Sequence, residues 1–404
     1  MKKELKCFFT AVIMILFVLS SLTAVATDRY LNEKQYLVSK INDTILKCKD
    51  NRSSFFKRDL YGVSFVDDKI GTVVGDEGTI LHTIDGGNSW SWQTSYHGKT
   101  LGVPSERLYD VSFFNEDVGM AIGLGGTVVY TNNSGDIWET AQTGHNIALY
   151  GAHMVTQKLG FAAGVNTIFQ PIVYRTTDCW QTWDIVIFYL EHGGSSHEGD
   201  LTDICFTNTS TGFVSALVWN GDGAVVKTVD CGETWETIYW INNYRLRSID
   251  FPSSDVGYVA GDHGIICKTS DGGDNWELVY SNYEITVLND VSFPTLEIGT
   301  AVGSAGCILR TEDGGDNWES QNSGVNSALN AVYFVDPDIG YVVGNDGVIL
   351  KTTDGGDTWN QLKLNVDNSQ LDIQSKNTQQ STKFYRFVKE FTKTLGDILI
   401  NYLI

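Results

Sequence analysis

The densest group of polar residues lies in EHGGSSHEGD, residues 191 to 200, where Glu191, His192, His197, Glu198 and Asp200 fall within ten positions. Neutral imidazoles and carboxylates are metal ligands. The glycines and serines between them describe a solvated loop equally well, so no metal is assigned. Three acids, Asp110, Asp203 and Asp290, recur near the start of a strand pattern. Spaced so far apart along the chain, they read as hydrogen-bonded structural carboxylates rather than as a general acid and base. The chain has no phosphate-cradling GxxxxGK[ST], no HExxH and no GxSxG elbow. No catalytic residue and no cofactor is expected.

These residues are positioned by a repeat. A Thr, an Asp or Asn two residues later and a Trp five beyond that recur seven times: TIDGGNSW, TNNSGDIW, TTDCWQTW, TVDCGETW, TSDGGDNW, TEDGGDNW and TTDGGDTW. Their acidic or amide positions are Asp85, Asn133, Asp178, Asp230, Asp271, Asp313 and Asp354, and a Leu and a Gly eleven residues apart precede each box. In the last copy, strand signals fall at AVYF, GYVVG, GVILKT and WNQLKL. Seven units of four strands predict an all-β, seven-bladed propeller over residues 60–364.

The box itself reads as a turn between the third and fourth strands. Asp354 caps backbone N–H groups, Gly355 and Gly356 supply positive φ, and Thr352 ties the turn. Trp359 is expected to open the outer strand and bury its ring against the adjacent sheet.

Unit length varies on one side only. The Leu-to-Gly spacing never changes, whereas the turn between strands two and three lengthens in units three and four, and the connections after Trp90 and Trp183 are long. In a four-stranded blade these variable segments emerge on one face. Loops on a rigid scaffold are where binding sits, so Phe169, Trp219, Phe188, Tyr189, His192 and His197 are the candidate ligand-binding residues.

The formal charge of −21 argues against nucleic acid and anionic surfaces as partners of the ring. Lys2, Lys3 and Lys6, an apolar run from Phe8 to Leu19 and Ala24-Val25-Ala26 predict a cleaved signal peptide over residues 1–26, with an uncleaved anchor as the alternative. Loss of three lysines and one glutamate would take the charge from −21 to −23. An exported protein, periplasmic, extracellular or cell-surface, follows. Cys48, Cys179, Cys205, Cys231, Cys267 and Cys307 lack metal-site spacing and are expected as free thiols. Residues 27–59 predict a short helical extension and 365–382 a polar linker. Residues 383–404 predict an amphipathic helix, with Lys383, Arg386, Lys389 and Lys393 beside an apolar stripe that suits packing on the ring, a partner or a membrane surface.

The box resembles the Asp-box, or BNR, repeat of sialidases and related propellers, where it is structural. The whole unit, as in LNAVYFVDPDIGYVVGNDGVILKTTDGGDTW, resembles more closely the photosystem II stability and assembly factor family of seven-bladed propellers. That resemblance implies a non-catalytic, chaperone-like role in assembling a membrane complex, with a basic arginine patch on the ring. Arg107 and Arg245 hold equivalent positions just before the first-strand Leu, and Arg247 follows. Sialidase chemistry is not expected, because the arginine cluster and the Arg-Ile-Pro signature are missing. Xyloglucanase-type enzymes set two propellers around a cleft, and this chain has one ring, so a glycan ligand or glycoside cleavage is the alternative to a protein partner.

Overall fold

A computed structural model describes residues 58–93, 106–141, 143 and 147–364. The chain divides into two units, Met1–Arg58 and Asp59–Ile404, and the strands belong to the second. Among the described residues there are seven four-stranded antiparallel sheets and one two-stranded hairpin. Each blade is one repeat with its strands in chain order: Leu60–Phe65, Gly71–Gly75, Thr79–Thr83 and Ser91–Trp92 in blade 1, Leu329–Phe334, Gly340–Gly344, Ile349–Thr352 and Asn360–Gln361 in blade 7. No helix among the described residues is long and apolar enough to cross a membrane. The signal peptide, Cys48 and the 365–404 linker and helix lie outside the described residues, as does nearly all of the 27–59 extension.

The constant Leu-to-Gly spacing has a steric cause. Gly71 pairs with Phe65 across the first two strands, and a Cβ at Gly71 would lie 2.3 Å from the Phe65 ring. The glycine leaves room for an aromatic that does two jobs. Phe65 stacks on Tyr341 of the neighbouring blade at 3.6 Å between centroids, as Phe293 stacks on Tyr258, and it meets the box residue Trp90 edge-on. Aromatic pairs in both geometries add to the area they bury. The ring core therefore lies between blades.

Box tryptophans sit one residue before the outer strand rather than opening it. In six blades the ring rests edge-on over the aromatic at the end of the first strand of its own blade, as Trp359 does over Phe334, and in blade 3 Met154 takes that place. The adjacent sheet also meets the ring, as expected, through Tyr239 against Trp276 and Tyr280 against Trp318. In two blades the neighbour supplies a polar partner: Trp359 Nε1 donates to Gln321 Oε1 at 3.1 Å and Trp138 Nε1 to Gln93 Oε1 at 2.8 Å.

The box chemistry is as expected. Thr352 Oγ1 donates to Asp354 Oδ1 at 2.8 Å and accepts from the Gly356 N–H at 2.8 Å, while Asp354 accepts from the Thr358 N–H at 2.9 Å. Asn133 suffices in blade 2 because only its Oδ1 is used. In blade 3 Cys179 and Trp180 take the glycine positions with φ of 59° and 64°, and Trp180 buries its ring in the core.

Blades are joined on two radii. Towards the rim, third-strand lysines donate to a box carbonyl of the next blade: Lys227 to Gly272, Lys268 to Gly314 and Lys351 to Gly86, at 2.6–2.8 Å. Around the axis, first-strand side chains reach the next first strand. Asn330 Nδ2 donates to the Leu60 carbonyl at 2.8 Å, and Asp110 Oδ2 accepts from the Ala152 N–H at 2.8 Å. Ser64 Oγ accepts from the Phe113 N–H at 3.2 Å. Asp110, Asp203 and Asp290 are thus structural carboxylates. Cys179, Cys205, Cys231, Cys267 and Cys307 are free.

Candidate functional site

The insertions in blades 3 and 4 become strand. Their second strands run Gly160–Val165 and Gly212–Val218, and their third strands Pro171–Thr176 and Gly223–Thr228, so the hairpins are longer and their tips stand further out. At the blade 3 tip, Asn166 Oδ1 accepts from the Ile168 and Gln170 N–H groups at 3.0 Å. The turn holds Phe169 at φ 66°. An aromatic in the left-handed region is strained, and such strain concentrates at functional positions.

The two tips meet. Phe169 and Trp219 lie 4.1 Å apart between ring centroids, 45% and 46% exposed, and Trp219 Nε1 donates to Asp200 Oδ1 at 3.1 Å. Tyr189 is 45% exposed and its hydroxyl accepts from Gln170 Nε2. Beside them, Ile147, Ile168, Ile172, Ile185 and Ile187 line an apolar groove of about 220 Å³ with Asn166 and Thr167. Ile168, Ile185 and Ile187 are exposed, and Ile147 and Ile172 form the buried floor.

Phe188, His192 and His197 fall elsewhere. The segment after Trp183 forms the hairpin Leu190–His192 and Ser195–His197, which lies on the outer strand of blade 4. Both imidazoles pack on Trp240, at 4.5 and 4.9 Å between centroids, and Phe188 stacks towards Trp235 at 6.2 Å. No group of three or more potential metal ligands forms among the described residues.

The arginines lie at the axial mouth. Arg107 Nε pairs with Asp76 Oδ1 at 2.7 Å and its guanidinium lies 4.7 Å over the Tyr61 ring. Arg247 Nε pairs with Asp262 Oδ1 at 3.0 Å. Arg245 and Arg247 both act on Asp200, whose carboxyl is nevertheless raised because burial outweighs the Trp219 bond and the two arginine charges.

Sequence reasoning missed the residues between these groups. Tyr61, Tyr109 and Tyr150 each follow the first-strand Leu and sit at a β-bulge, where one residue of the strand is left out of the pairing. A bulge re-aims a side chain. Here it forms a row with centroid distances of 5.7 and 5.0 Å, running from Arg107 towards Asp200. Burial, followed by the nearby Asp200 charge, pushes the Tyr150 hydroxyl up to about 12. The signal was a repeated Leu-Tyr in units one to three.

Comparison with known proteins agrees with this architecture. No curated protein matches the chain in sequence. Among solved structures, YCF48 bound to D1 peptide superposes with a TM-score of 0.57 at 21% identity, over 74% of this chain and 94% of that one. YCF48 from Cyanidioschyzon merolae gives 0.59 at 19% identity, over 73% and 96%. The GH74 xyloglucanase from Xanthomonas campestris gives 0.62 at 12% identity, over 76% of this chain and 55% of that chain. At these identities the structures share the fold. The family model described as photosynthesis system II assembly factor YCF48 matches residues 53–197, 194–285 and 282–371, so this chain belongs to that family.

Proposed function

We propose that this protein is a non-catalytic assembly factor that binds a segment of a partner polypeptide on the face formed by the long hairpins of blades 3 and 4. The observation that carries the reading is the exposed Phe169–Trp219 pair, bonded through Trp219 to Asp200, which lies within the fields of Arg245 and Arg247, and flanked by the isoleucine groove. Aromatic and arginine side chains dominate the energetics of protein interfaces. A relative has been seen bound to D1 peptide, which makes that peptide the partner to try first. The basic tail segment would add contact with the membrane surface, and the first 26 residues would direct export.

A titration with D1 peptide tests the reading. Phe169→Ala and Trp219→Ala together are expected to weaken binding by about 2 kcal/mol, some thirtyfold in Kd. Unchanged affinity in the double variant would move the site to Arg107 and the tyrosine row. Binding of xyloglucan oligosaccharides in place of peptide would support the glycan alternative.

A further inference from the structure

Just below the axial mouth, the residue two beyond the first-strand Leu is Gly62, Asp110, Gly151, Asp203, Ser248, Asp290 and Ala331 in blade order. Small residues alternate with aspartates because the tier is crowded. A Cβ at Gly62 would lie 2.8 Å from Asp110 Cα, and one at Gly151 2.6 Å from Asp203 Cα. Each aspartate binds the next blade: Asp203 Oδ2 accepts from the Ile249 N–H at 2.9 Å and Asp290 Oδ2 from the Val332 N–H at 2.7 Å.

Ser248 is where this pattern leaves a proton to be counted. Its buried Oγ lies 2.9 Å from Asp203 Oδ2 and 2.6 Å from Asp290 Oδ1, and the Val291 N–H points at it from 3.3 Å. Two hydrogen bonds between three oxygens need two hydrogens, and a serine hydroxyl carries one. We infer that Asp203, Ser248 and Asp290 share one additional proton, so that one carboxyl donates to Ser248 while Ser248 donates to the other, tying blades 4, 5 and 6 into a pH-sensitive latch. When the proton leaves to solvent, one hydroxyl hydrogen faces two carboxylates and one of the two bonds is lost. Thr202, Arg247 and Asn289 immediately precede the three latch residues. Thr202 and Asn289 bond the Leu246 and Leu329 carbonyls of the next blades, so the latch acts on the mouth.

The groups that interact with the latch carboxylates are Asp110 in its own tier and, four residues beyond the first-strand Leu, Cys205 and Asp250; His153 and Tyr333 hold that same position in blades 3 and 7, and Arg247, paired with Asp262, precedes Ser248. Burial raises Asp203 to about 6 and, with the Asp203 charge, Asp290 to about 7, while burial also raises Asp250 to about 6. Burial lowers His153 to about 4, which opposes them. A carboxyl raised above its unfolded value contributes stability that is full below about pH 4 and is lost as pH rises through its folded value. The latch therefore holds at mildly acidic pH and loosens between about 6 and 7.

The test is the unfolding equilibrium of the full chain, measured from pH 5 to pH 8 for wild type, Asp290→Asn and Asp203→Asn. Asp110, Asp250 and His153 remain in every variant, and because Asp110 and Asp250 respond to the Asp203 charge, only a change common to both variants is assigned to the latch. An amide imitates a protonated carboxyl. Each variant is expected to fold at pH 5 and to lose one proton from the pH dependence, a slope lower by about tenfold in the unfolding constant per pH unit. Wild-type slope in both variants would overturn the latch, and so would failure of both to fold at pH 5, where the shared proton is in place.

Discussion

The two faces of the ring follow opposite rules. On the box face, all seven blades use one device, in which the N–H of the residue after the box Asp or Asn donates to a carbonyl in the turn between strands one and two, from Gly86 to Lys69 through Gly355 to Asp338. On the other face, blades 1, 6 and 7 close strands two and three with the same three-residue turn, while blades 3 and 4 extend their hairpins and expose aromatics. Repetition marks what the ring needs to exist. Departure from repetition marks where it can meet something else, because a loop altered in one unit alone owes nothing to closure of the ring.

That contrast can be broken most severely at a position the repeat keeps in every blade but one, the glycine at the end of the second strand. Gly261 ends a second strand, and a Cβ there would lie 2.1 Å from the Arg245 carbonyl oxygen of its own blade. Gly261→Ala is expected to cost about 3 kcal/mol, since a backbone atom cannot move aside as a side-chain tip can. Chemical unfolding measures it, and a loss under about 1 kcal/mol would show that the first strand gives way. A smaller effect is expected at the box. Thr352→Val removes the acceptor of the buried Gly356 N–H and should cost about 1–3 kcal/mol, read as a lowered melting temperature with peptide binding intact. The smallest effect belongs to the decorated face. Phe169→Ala and Trp219→Ala should each change stability by no more than about 0.5 kcal/mol, since both side chains are nearly half exposed. A larger loss in the melt would make them packing residues and weaken the binding reading.

Much of the scaffold was legible because its devices are local. A Thr, an Asp and glycines within eight residues specify a turn without reference to the rest of the chain, and seven copies give the blade number. Asp110, Asp203 and Asp290 were legible as structural carboxylates, although their bonds to the next blade were not. The extended hairpins were read as longer turns because NTIFQPIVY and VWNGDG carry turn residues at the tip, while pairing drew their flanks into the ladder. The tyrosine row was hidden for a different reason. Strict alternation assigns the residue after Leu to one side of the strand, and a bulge that is set by closure around the axis turns it to the mouth. His192 and His197 were legible as a pair, but Trp240, which holds them, lies more than forty residues further along.

Because each sheet is drawn from a single repeat, the joint between blade 7 and blade 1 involves no exchange of strands. It is made of the Tyr341–Phe65 stack and the Lys351 bond to Gly86, the same contacts that join blade 5 to blade 6 through Tyr258, Phe293, Lys268 and Gly314. The unit that repeats in sequence is therefore also the unit that folds, in the same phase. The ring imposes no particular starting blade. A circular permutation that opened any other blade-to-blade connection and joined Gln361 to Leu60 through a linker would leave every sheet whole.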